Sequence, residues 1–274
     1  MDASAIDRIG QLAVEASQAN KLATPMPAIV LGNNVASLEH LQEGRSRFRG
    51  QLKTNSLADF VGYVRRDHGT GNDDPKAVFI DAAKLSASAF FNLGDHHNPG
   101  HADHRAELTL ETTAANNALR NIANQRLDQR GMSEWLEEWA PHCEVFDEHG
   151  NQMPTLAAIV AVRSVKVKAS AEATTTVASF AANRTAMEDI EAKAAAGSAL
   201  PGRIKFTFVP ALGLAEQTAD LRLYLSAKPE EKPTFAVKWF GREQLVEAIA
   251  QDFKRVLFEE IGDAAHLTLG TFTP

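Results

Sequence analysis

Three segments in the second half of the sequence alternate strictly between apolar and polar residues, and this alternation is the strongest constraint on the fold. The apolar positions are Ile204, Phe206 and Phe208 in the first segment, Leu221, Leu223 and Leu225 in the second, and Phe235, Val237 and Trp239 in the third. A period of two places neighbouring side chains on opposite faces of a strand, so each segment predicts a strand with one buried face. The stretch "RAELTLE" at 105–111 shows the same pattern.

Helical periodicity follows the last of these strands. Large apolar residues recur every three or four positions at Leu245, Ile249, Phe253, Val256, Leu257 and Ile261. This spacing predicts one long amphipathic helix over about 242–261. The first residues of the chain show a similar pattern at Ile6, Ile9, Leu12, Ala13 and Ala16, which predicts a second amphipathic helix.

Shorter elements complete the prediction. Ser56 and Asp59 have the spacing of a capping box and predict a helix that ends near Gly69. Further helices are predicted over 114–127, from Ser133 through "SEWLEEW", over 155–164 and over 185–197. Further strands are predicted at 28–31 and in "DDPKAVFID", "LSASAFFNL" and "SVKVKAS".

These elements predict an α+β fold in which antiparallel sheets are covered on one face by helices, in two lobes. Residues 1–150 are predicted to form an N-terminal α/β lobe with a histidine-rich hairpin loop. Residues 151–274 are predicted to form an antiparallel sheet with the long amphipathic helix. One continuous domain is the alternative, since 274 residues fit either arrangement.

Composition excludes several classes of protein. A formal net charge of -7 disfavours wholesale wrapping in nucleic acid, although a local basic face is compatible with it. The single cysteine, Cys143, excludes an internal disulfide, and its flanks predict a small buried side chain. No apolar run is long enough for a membrane span, and the first residues lack the pattern of a signal peptide. The sequence therefore predicts a soluble cytoplasmic protein with no membrane partner.

The stretch "NLGDHHNPGHADHRAELTLE" at 92–111 holds four of the nine histidines. Its glycines and proline predict a hairpin loop whose polar side chains bind local backbone groups. One alternative is a transition-metal site, such as zinc, formed by His97, His101, His104 and Asp103, although this spacing matches no common metal motif. The other alternative is an anion site that uses Arg105.

Basic residues are more organised than the net charge suggests. The segment "GRSRFRGQLK" brings Arg45, Arg47 and Arg49 together without an acidic residue. On the alternating strands, the predicted outward positions include Lys166, Lys168, Arg203, Lys205, Arg222, Tyr224 and Lys238. Cations beside an aromatic side chain on a sheet can bind single-stranded nucleic acid, whereas an ordinary solvated face is the alternative.

The helix in "SEWLEEW" carries two pairs of residues four apart. Glu134 and Glu138 share one helix face, and Trp135 and Trp139 share another. This pattern predicts an amphipathic helix that buries its tryptophans. A contact of Trp135 and Trp139 with a protein partner is the alternative.

The segments "RSRFRG", "FFNLGDHHNPGHADHRAELTLE" and "SEWLEEW" resemble the YfdQ-like family of phage and prophage proteins. Within the loop, the positions that carry the resemblance are Gly100, Asp103, His104, Arg105, Ala106, Leu108 and Leu110. The resemblance implies accessory genes of temperate phages, often near functions of DNA metabolism, with no assigned activity or catalytic residue. It also implies an extended conformation around 175–200, where "TAMEDIEAKAAAG" locally predicts a helix.

The sequence thus predicts a non-enzymatic phage or prophage accessory protein without a cofactor, which self-associates in the bacterial cytoplasm. It is expected to assist phage DNA transactions through single-stranded nucleic acid, with Arg45, Arg47, Arg49 and Arg105 at the phosphates. A metal-dependent enzyme that uses the histidine loop is one alternative. An assembly protein, or a modulator of a host factor that binds only host or phage protein, is the other.

Overall fold

The structure is a computed structural model, which describes residues 3–19, 28–31, 34–66, 76–166, 193–194, 199–226 and 233–274. Its helices are α1 (Ala3–Ala19), α2 (Leu57–Arg65), α3 (Ala114–Ile122), α4 (Gln129–Glu138), α5 (Thr155–Ser164) and α6 (Arg242–Ile261). Its strands are β1 (Ala28–Leu31), β2 (Asn34–Ser37), β3 (Gly50–Thr54), β4 (Ala77–Asp81), β5 (Ser86–Phe90), β6 (His104–Thr109), β7 (Arg126–Asp128), β8 (Cys143–Asp147), β9 (Gln152–Met153), β10 (Val165–Lys166), β11 (Lys193–Ala194), β12 (Pro201–Phe208), β13 (Gln217–Ser226), β14 (Thr234–Phe240) and β15 (His266–Leu269).

A six-stranded antiparallel sheet contains the three alternating segments. Its strand order is β7-β14-β13-β12-β8-β9. The alternation is confirmed, because the apolar positions of β12, β13 and β14 are buried except for the half-buried Leu225, while Arg203, Arg222 and Lys238 are exposed. Helix α4 covers the inner face, where the Trp135 ring packs 5.5 Å from that of Phe206.

The second large sheet is mixed rather than antiparallel. Its order is β15-β4-β5-β6-β3, and both edge strands, β15 and β3, run parallel to their neighbours. The predicted α+β class is therefore confirmed, but the prediction of antiparallel sheets holds only for the first sheet. Alternation of side chains reports which face is buried and carries no information on strand direction, so the sequence could not distinguish the two.

Both sheets combine strands from the two halves of the sequence. Strands β7 and β8 precede residue 150 and pair with β14 and β12. Strand β15 lies near the C-terminus and pairs with β4. One apolar core connects the two sheets, since a single cluster of buried side chains includes Val78 and Leu108 as well as Leu221. The boundary at residue 150 stays a prediction about domains, while the pairing of strands crosses it.

Helices α2 and α6 pack against the sheets and against each other, and α6 does so through the face that its periodicity predicts. Ser56 caps α2, because its hydroxyl accepts a hydrogen bond from the Asp59 N–H, as the capping-box spacing predicts. Ile249, Phe253, Leu257 and Ile261 are the buried residues of α6. The helix predicted over 155–164 is confirmed as α5.

Three predicted helix boundaries are wrong. Helix α2 ends at Arg65 rather than near Gly69, since Arg66 is extended. Helix α3 ends at Ile122 rather than near 127, because Asn124 adopts a left-handed conformation and its N–H donates to the Val237 carbonyl. The chain then enters β7. Helix α4 begins at Gln129 rather than after Ser133, because Asp128 accepts a hydrogen bond from the Gly131 N–H and caps it. Ser133 is buried inside the helix.

The alanine-rich segment lies mostly outside the described residues. The predicted helix over 185–197 is wrong at Lys193–Ala194, which form β11 and pair with β10. The extended conformation that the family resemblance implies agrees with these two residues. Of the strand predicted in "SVKVKAS", Val165–Lys166 are confirmed, and Lys168 lies outside the described residues.

Two glycines near α2 should respond oppositely to substitution by alanine. Gly62 lies inside α2 with nothing within 4 Å of an added Cβ. Gly62→Ala should raise the free energy of unfolding by about 0.5–1 kcal/mol, since glycine is the poorer helix former. Gly213 has a φ of +93°, and an added Cβ would lie 2.9 Å from Leu57 Cδ2. Gly213→Ala should lower stability by about 1–3 kcal/mol. Urea denaturation of both variants checks this, and a gain for Gly213→Ala would contradict it.

Candidate nucleic-acid interface

Two of the four arginines predicted to contact phosphate form hydrogen-bonded salt bridges within the protein. Arg47 Nη2 lies 2.6 Å from Asp103 Oδ2, and Arg49 is paired with Glu39. The positive charge of each arginine is offset by its carboxylate. Either arginine would therefore have to leave a partly buried carboxylate in order to bind phosphate, which costs free energy.

The other two predicted arginines are held more loosely. Arg45 is exposed, and its Nη1 donates to the Arg49 carbonyl at 3.4 Å. Arg105 is half-buried, with Nη2 3.4 Å from Gln51 Oε1 and Nε 3.6 Å from Glu107 Oε1. The four arginines thus lie at the β3–β6 edge of the mixed sheet, but Arg47, Arg49 and Arg105 each lie beside a carboxylate.

Both salt-bridged carboxyl groups have pKa values below their ordinary range. For Glu39, hydrogen bonds from the Ser46 hydroxyl at 2.8 Å and the Ser46 N–H at 3.0 Å lower the pKa, and burial opposes them. For Asp103, burial raises the pKa, but hydrogen bonds from Arg47 and Asn92 lower it further. Both groups are therefore ionised at neutral pH. Asp103 holds Arg47 at the start of β6, and Glu39 holds Arg49 against the turn at 39–41.

His104 belongs to the core. It is fully buried in β6, and its ring lies 4.5 Å from that of Phe48 and 4.6 Å from that of Phe91. The Tyr63 hydroxyl lies 3.2 Å from His104 Nε2. The candidate metal ligand His104 thus lies in the core among three aromatic rings, whereas the candidates His97 and His101 lie in the exposed loop.

The histidine loop is a hairpin turn between β5 and β6. Asp95 Oδ1 accepts hydrogen bonds from the N–H groups of His97 and Asn98, both at 2.7 Å. His97 and His101 are exposed, whereas Asp103 is bound by Arg47. These contacts match the hairpin interpretation. In the part of the chain that the structure describes, no group of three or more His, Cys, Asp or Glu side chains is placed to hold a metal ion.

A second cationic surface lies on the outer face of the six-stranded sheet. Strand pairing places Arg203 opposite Arg222, and Arg222 opposite Lys238. We call these three residues the cationic row. Lys205 lies beside the row on β12, and Asp220 is the carboxylate on the same face of β13. Like charges directly opposite each other destabilise a strand pair, so the row needs compensation.

The repulsion between the like charges of the row is compensated in two different ways. Arg203 donates to both carboxylate oxygens of Asp220, each at 2.7 Å. Arg222 instead lies over the Phe240 ring, with its guanidinium carbon 4.1 Å from the centroid, and Lys238 Nζ lies 5.2 Å from the same centroid. An aromatic ring attracts a cation without cancelling its charge. Arg222 and Lys238 therefore keep their net positive charge, whereas that of Arg203 is offset.

Aromatic side chains flank the row. Tyr224 is 40% exposed on β13, next to Arg222 on the same face. A cleft of about 460 Å³ lies between these two side chains and the turn at 147–150. On the β12 side of the row, Lys205 Nζ lies 5.3 Å from the centroid of Phe146, which is on β8. Exposed rings beside cations are the arrangement by which proteins stack unpaired bases and bind their phosphates.

Sequence reasoning named the cations and Tyr224 but missed the two phenylalanines. Phe240 follows Lys238 by two residues, so the alternation itself could have placed it on the outer face. Phe146 lies on β8, a strand that the sequence analysis did not predict. The backbone of Lys166 is part of β10, and its side chain lies outside the described part of the structure.

The remaining candidates belong to the core and to a neighbouring cleft. Trp135 and Trp139 are half-buried and pack against Phe206, as the amphipathic pattern predicts, and they also line a cleft of about 590 Å³ between α3 and α4. Their contact with a partner stays a prediction. Cys143 is buried, and burial raises the pKa of its thiol to about 12. A thiol that stays protonated is a poor nucleophile, so Cys143 is the small buried side chain that the sequence predicts.

The fold and this face define a class: an α+β protein with a cationic, aromatic-flanked face on an antiparallel sheet. No helix among the described residues is long and apolar enough to span a bilayer. The family model described as "Uncharacterized conserved protein (DUF2303)" matches residues 2–272, and the chain belongs to this family. Neither a curated protein nor a solved structure matches the chain.

The carboxylates that hold the arginine segment should make stability depend on acid pH. A carboxyl group whose pKa is lowered by folding stabilises the fold while it is ionised, and this contribution is lost as the pH falls through the folded-state value. The free energy of unfolding should therefore decrease as the pH falls below about 4, near the ordinary carboxyl values. Urea denaturation at neutral and acidic pH measures the decrease.

Glu39→Gln tests this origin, because it removes one of the ionised groups. The variant should be less stable than the parent at neutral pH and should lose less stability on acidification. Glu138→Gln, at an exposed glutamate of α4, controls for the loss of a carboxylate. An equal acid response in the parent and in Glu39→Gln would contradict the prediction.

Proposed function

We propose that the protein is a non-enzymatic phage or prophage accessory protein that binds single-stranded nucleic acid and self-associates. It would act in the cytoplasm of the bacterial host, during transactions of phage DNA. The binding surface in this proposal is the outer face of the six-stranded sheet. The observation that supports it best is the cationic row, in which three cations from separate strands lie opposite one another.

The row has the charge and length to bind a phosphate backbone. Neighbouring strands lie about 4.8 Å apart, so three strands spread the cations over about 10 Å. Arg222 and Lys238 are exposed, and the ring that holds them is uncharged. Their N–H donors can therefore bind phosphate without first breaking a salt bridge. Phosphate would also relieve the repulsion between like charges along the row.

The flanking rings favour a single strand over a duplex. Bases in a duplex are stacked on each other, whereas unpaired bases can stack on an exposed tyrosine. Tyr224 offers such a ring next to Arg222, and the adjoining cleft gives room for a base. The net charge of -7 limits the interaction to local cationic surfaces such as this face.

The arginines predicted from sequence have a secondary part in this proposal. Arg45 and Arg105 lie at the β3–β6 edge and can add phosphate contacts there. Arg47 and Arg49 hold Asp103 and Glu39, so their first effect is on the structure of that edge. The contribution of all four to binding stays a prediction, which the binding assay below can measure.

Removal of the two ring-held charges should weaken binding. Arg222→Gln combined with Lys238→Gln should lower the affinity for a labelled oligodeoxythymidylate by about tenfold or more at low salt. The slope of log affinity against log salt should become shallower by about 1.4, because about 0.7 is lost for each phosphate contact to a single strand. Fluorescence anisotropy across a salt series measures both quantities.

Arg120→Gln is the matched control, because Arg120 is an exposed arginine on α3, outside the sheet. It should leave the affinity and the slope nearly unchanged. If the double variant binds as tightly as the parent, the sheet face is not the binding surface. If Arg45→Gln with Arg105→Gln weakens binding instead, the surface lies at the β3–β6 edge.

The tyrosine should contribute through its ring rather than its hydroxyl. Tyr224→Ala should weaken binding to the single strand by about fivefold to a hundredfold, the usual range for loss of one stacked base. Tyr224→Phe keeps the ring and should bind like the parent. The same anisotropy assay with the matching duplex should show weaker binding and little effect of Tyr224→Ala. Equal loss in both variants would argue against stacking.

A further inference from the structure

Helix α1 exposes its apolar side chains. Every residue from 4 to 14 is exposed, and Ile6, Ile9 and Leu12 are 50–62% exposed on one face of the helix. Helix α1 packs against β1. An isolated helix of 17 residues is only marginally stable in water, and most helices in proteins are stabilised by burial of an apolar face. The apolar face of α1 therefore fits a partner surface.

The body of the protein carries a groove of matching character between α2 and α6. The α2–α6 groove has a volume of about 650 Å³. Its apolar lining includes Leu57, Ala58, Val61, Gly62, Leu212 and Val256. Leu212 stands at the rim and is 77% exposed. Gly62 carries no side chain and leaves open space on the α2 side, since nothing lies within 4 Å of an added Cβ.

We propose that α1 of one copy of this chain binds in the α2–α6 groove of a second copy. The inference deepens the self-association in the proposed function and rests on that part of it. An amphipathic helix in an apolar groove is a common mode of recognition, in which residues three or four apart act as anchors. Ile6, Ile9 and Leu12 have this spacing. Reciprocal binding of two helices gives a closed two-fold dimer.

Charge favours a second copy as the occupant. Arg65 and Glu260 line the groove as an exposed ion pair, with Arg65 Nη1 3.9 Å from Glu260 Oε2. Glu111 also lines the groove, so its lining carries two carboxylates against one arginine. Helix α1 carries Arg8 at the edge of its apolar face, next to Leu12, and Arg8 can pair with Glu111 or Glu260. A helix for anionic lipid would be rich in Lys and Arg, whereas residues 3–19 hold one Arg against Asp7 and Glu15. The exposure of residues 4–14 shows that the helix does not lie in the groove of its own chain.

The oligomeric state of the full chain tests the proposal. Sedimentation velocity across a wide range of protein concentration should show a dimer for the parent. Ile9→Asp removes an anchor and should weaken the dimer by about tenfold to a hundredfold. Val14→Asp is the matched control, because Val14 is as exposed as Ile6 but lies off the apolar face, and it should leave the dimer intact.

Two variants test the groove. Gly62→Leu fills it from α2, and Leu212→Asp places a charge at its rim; both should weaken the dimer as Ile9→Asp does. Thermal melting of each variant confirms that it is folded, and Leu212→Asp changes a residue that is 77% exposed, so it tests the groove even where Gly62→Leu disturbs α2.

A mixing experiment then identifies the two surfaces as partners. Ile9→Asp keeps an intact groove, and Leu212→Asp keeps an intact helix. An equimolar mixture should form a 1:1 dimer that neither variant forms alone at the same concentration. A monomeric parent, a mixture that stays monomeric, or groove variants that dimerise like the parent would each overturn the proposal.

The outcome is separable from nucleic-acid binding. The monomeric Ile9→Asp variant should still bind the single strand through the sheet face, at the affinity of one binding surface. The Arg222→Gln, Lys238→Gln double variant should still form the dimer. If the parent does not dimerise but still binds the single strand, only the groove contact is rejected.

Discussion

Burial of the apolar positions in β12, β13 and β14 determines the face on which the cations lie. Ile204 lies opposite Leu221, and Leu221 lies opposite Trp239, with all three buried. A shift of one residue in any of these strands would exchange its two faces and bury Arg or Lys side chains in the core. Burial of the inner face therefore fixes the register of the strands. This register then determines which side chains lie opposite each other on the outer face. The cationic row is a consequence of core packing.

Local sequence pattern predicted much of this fold because burial itself has a local signature. The strands β12–β14 and β6, the helices α2 and α6, and the cap at Ser56 all follow from spacing within a few residues. Strand order and direction depend on contacts between distant segments. The parallel pairs of β15 with β4 and of β3 with β6 were therefore not predictable from alternation. The early end of α3 likewise depends on a hydrogen bond from Asn124 to a strand more than a hundred residues away.

The same distinction explains the two cationic surfaces. Arg45, Arg47 and Arg49 form a visible cluster in the sequence, in a segment that itself contains no acid, but the fold brings Asp103 to Arg47 and Glu39 to Arg49. The cluster in sequence thus becomes a set of salt bridges in space. Arg203, Arg222 and Lys238 are far apart in the sequence and become neighbours only through strand pairing. Sequence could name them as outward-facing residues, but only the register shows that they form a row.

How a cation is held decides whether it can bind an anion. A carboxylate partner cancels the charge and occupies the N–H donors, as Asp220 does for Arg203. An aromatic ring lies against the face of a guanidinium and leaves the donors at its edge, as Phe240 does for Arg222. Because Phe240 also holds Lys238, one ring keeps two like charges close together. An anion bound there would lower their mutual repulsion in the folded state only, since the unfolded chain does not form the row. Binding of an anion to the outer face would therefore be coupled to folding of the sheet, and each would favour the other.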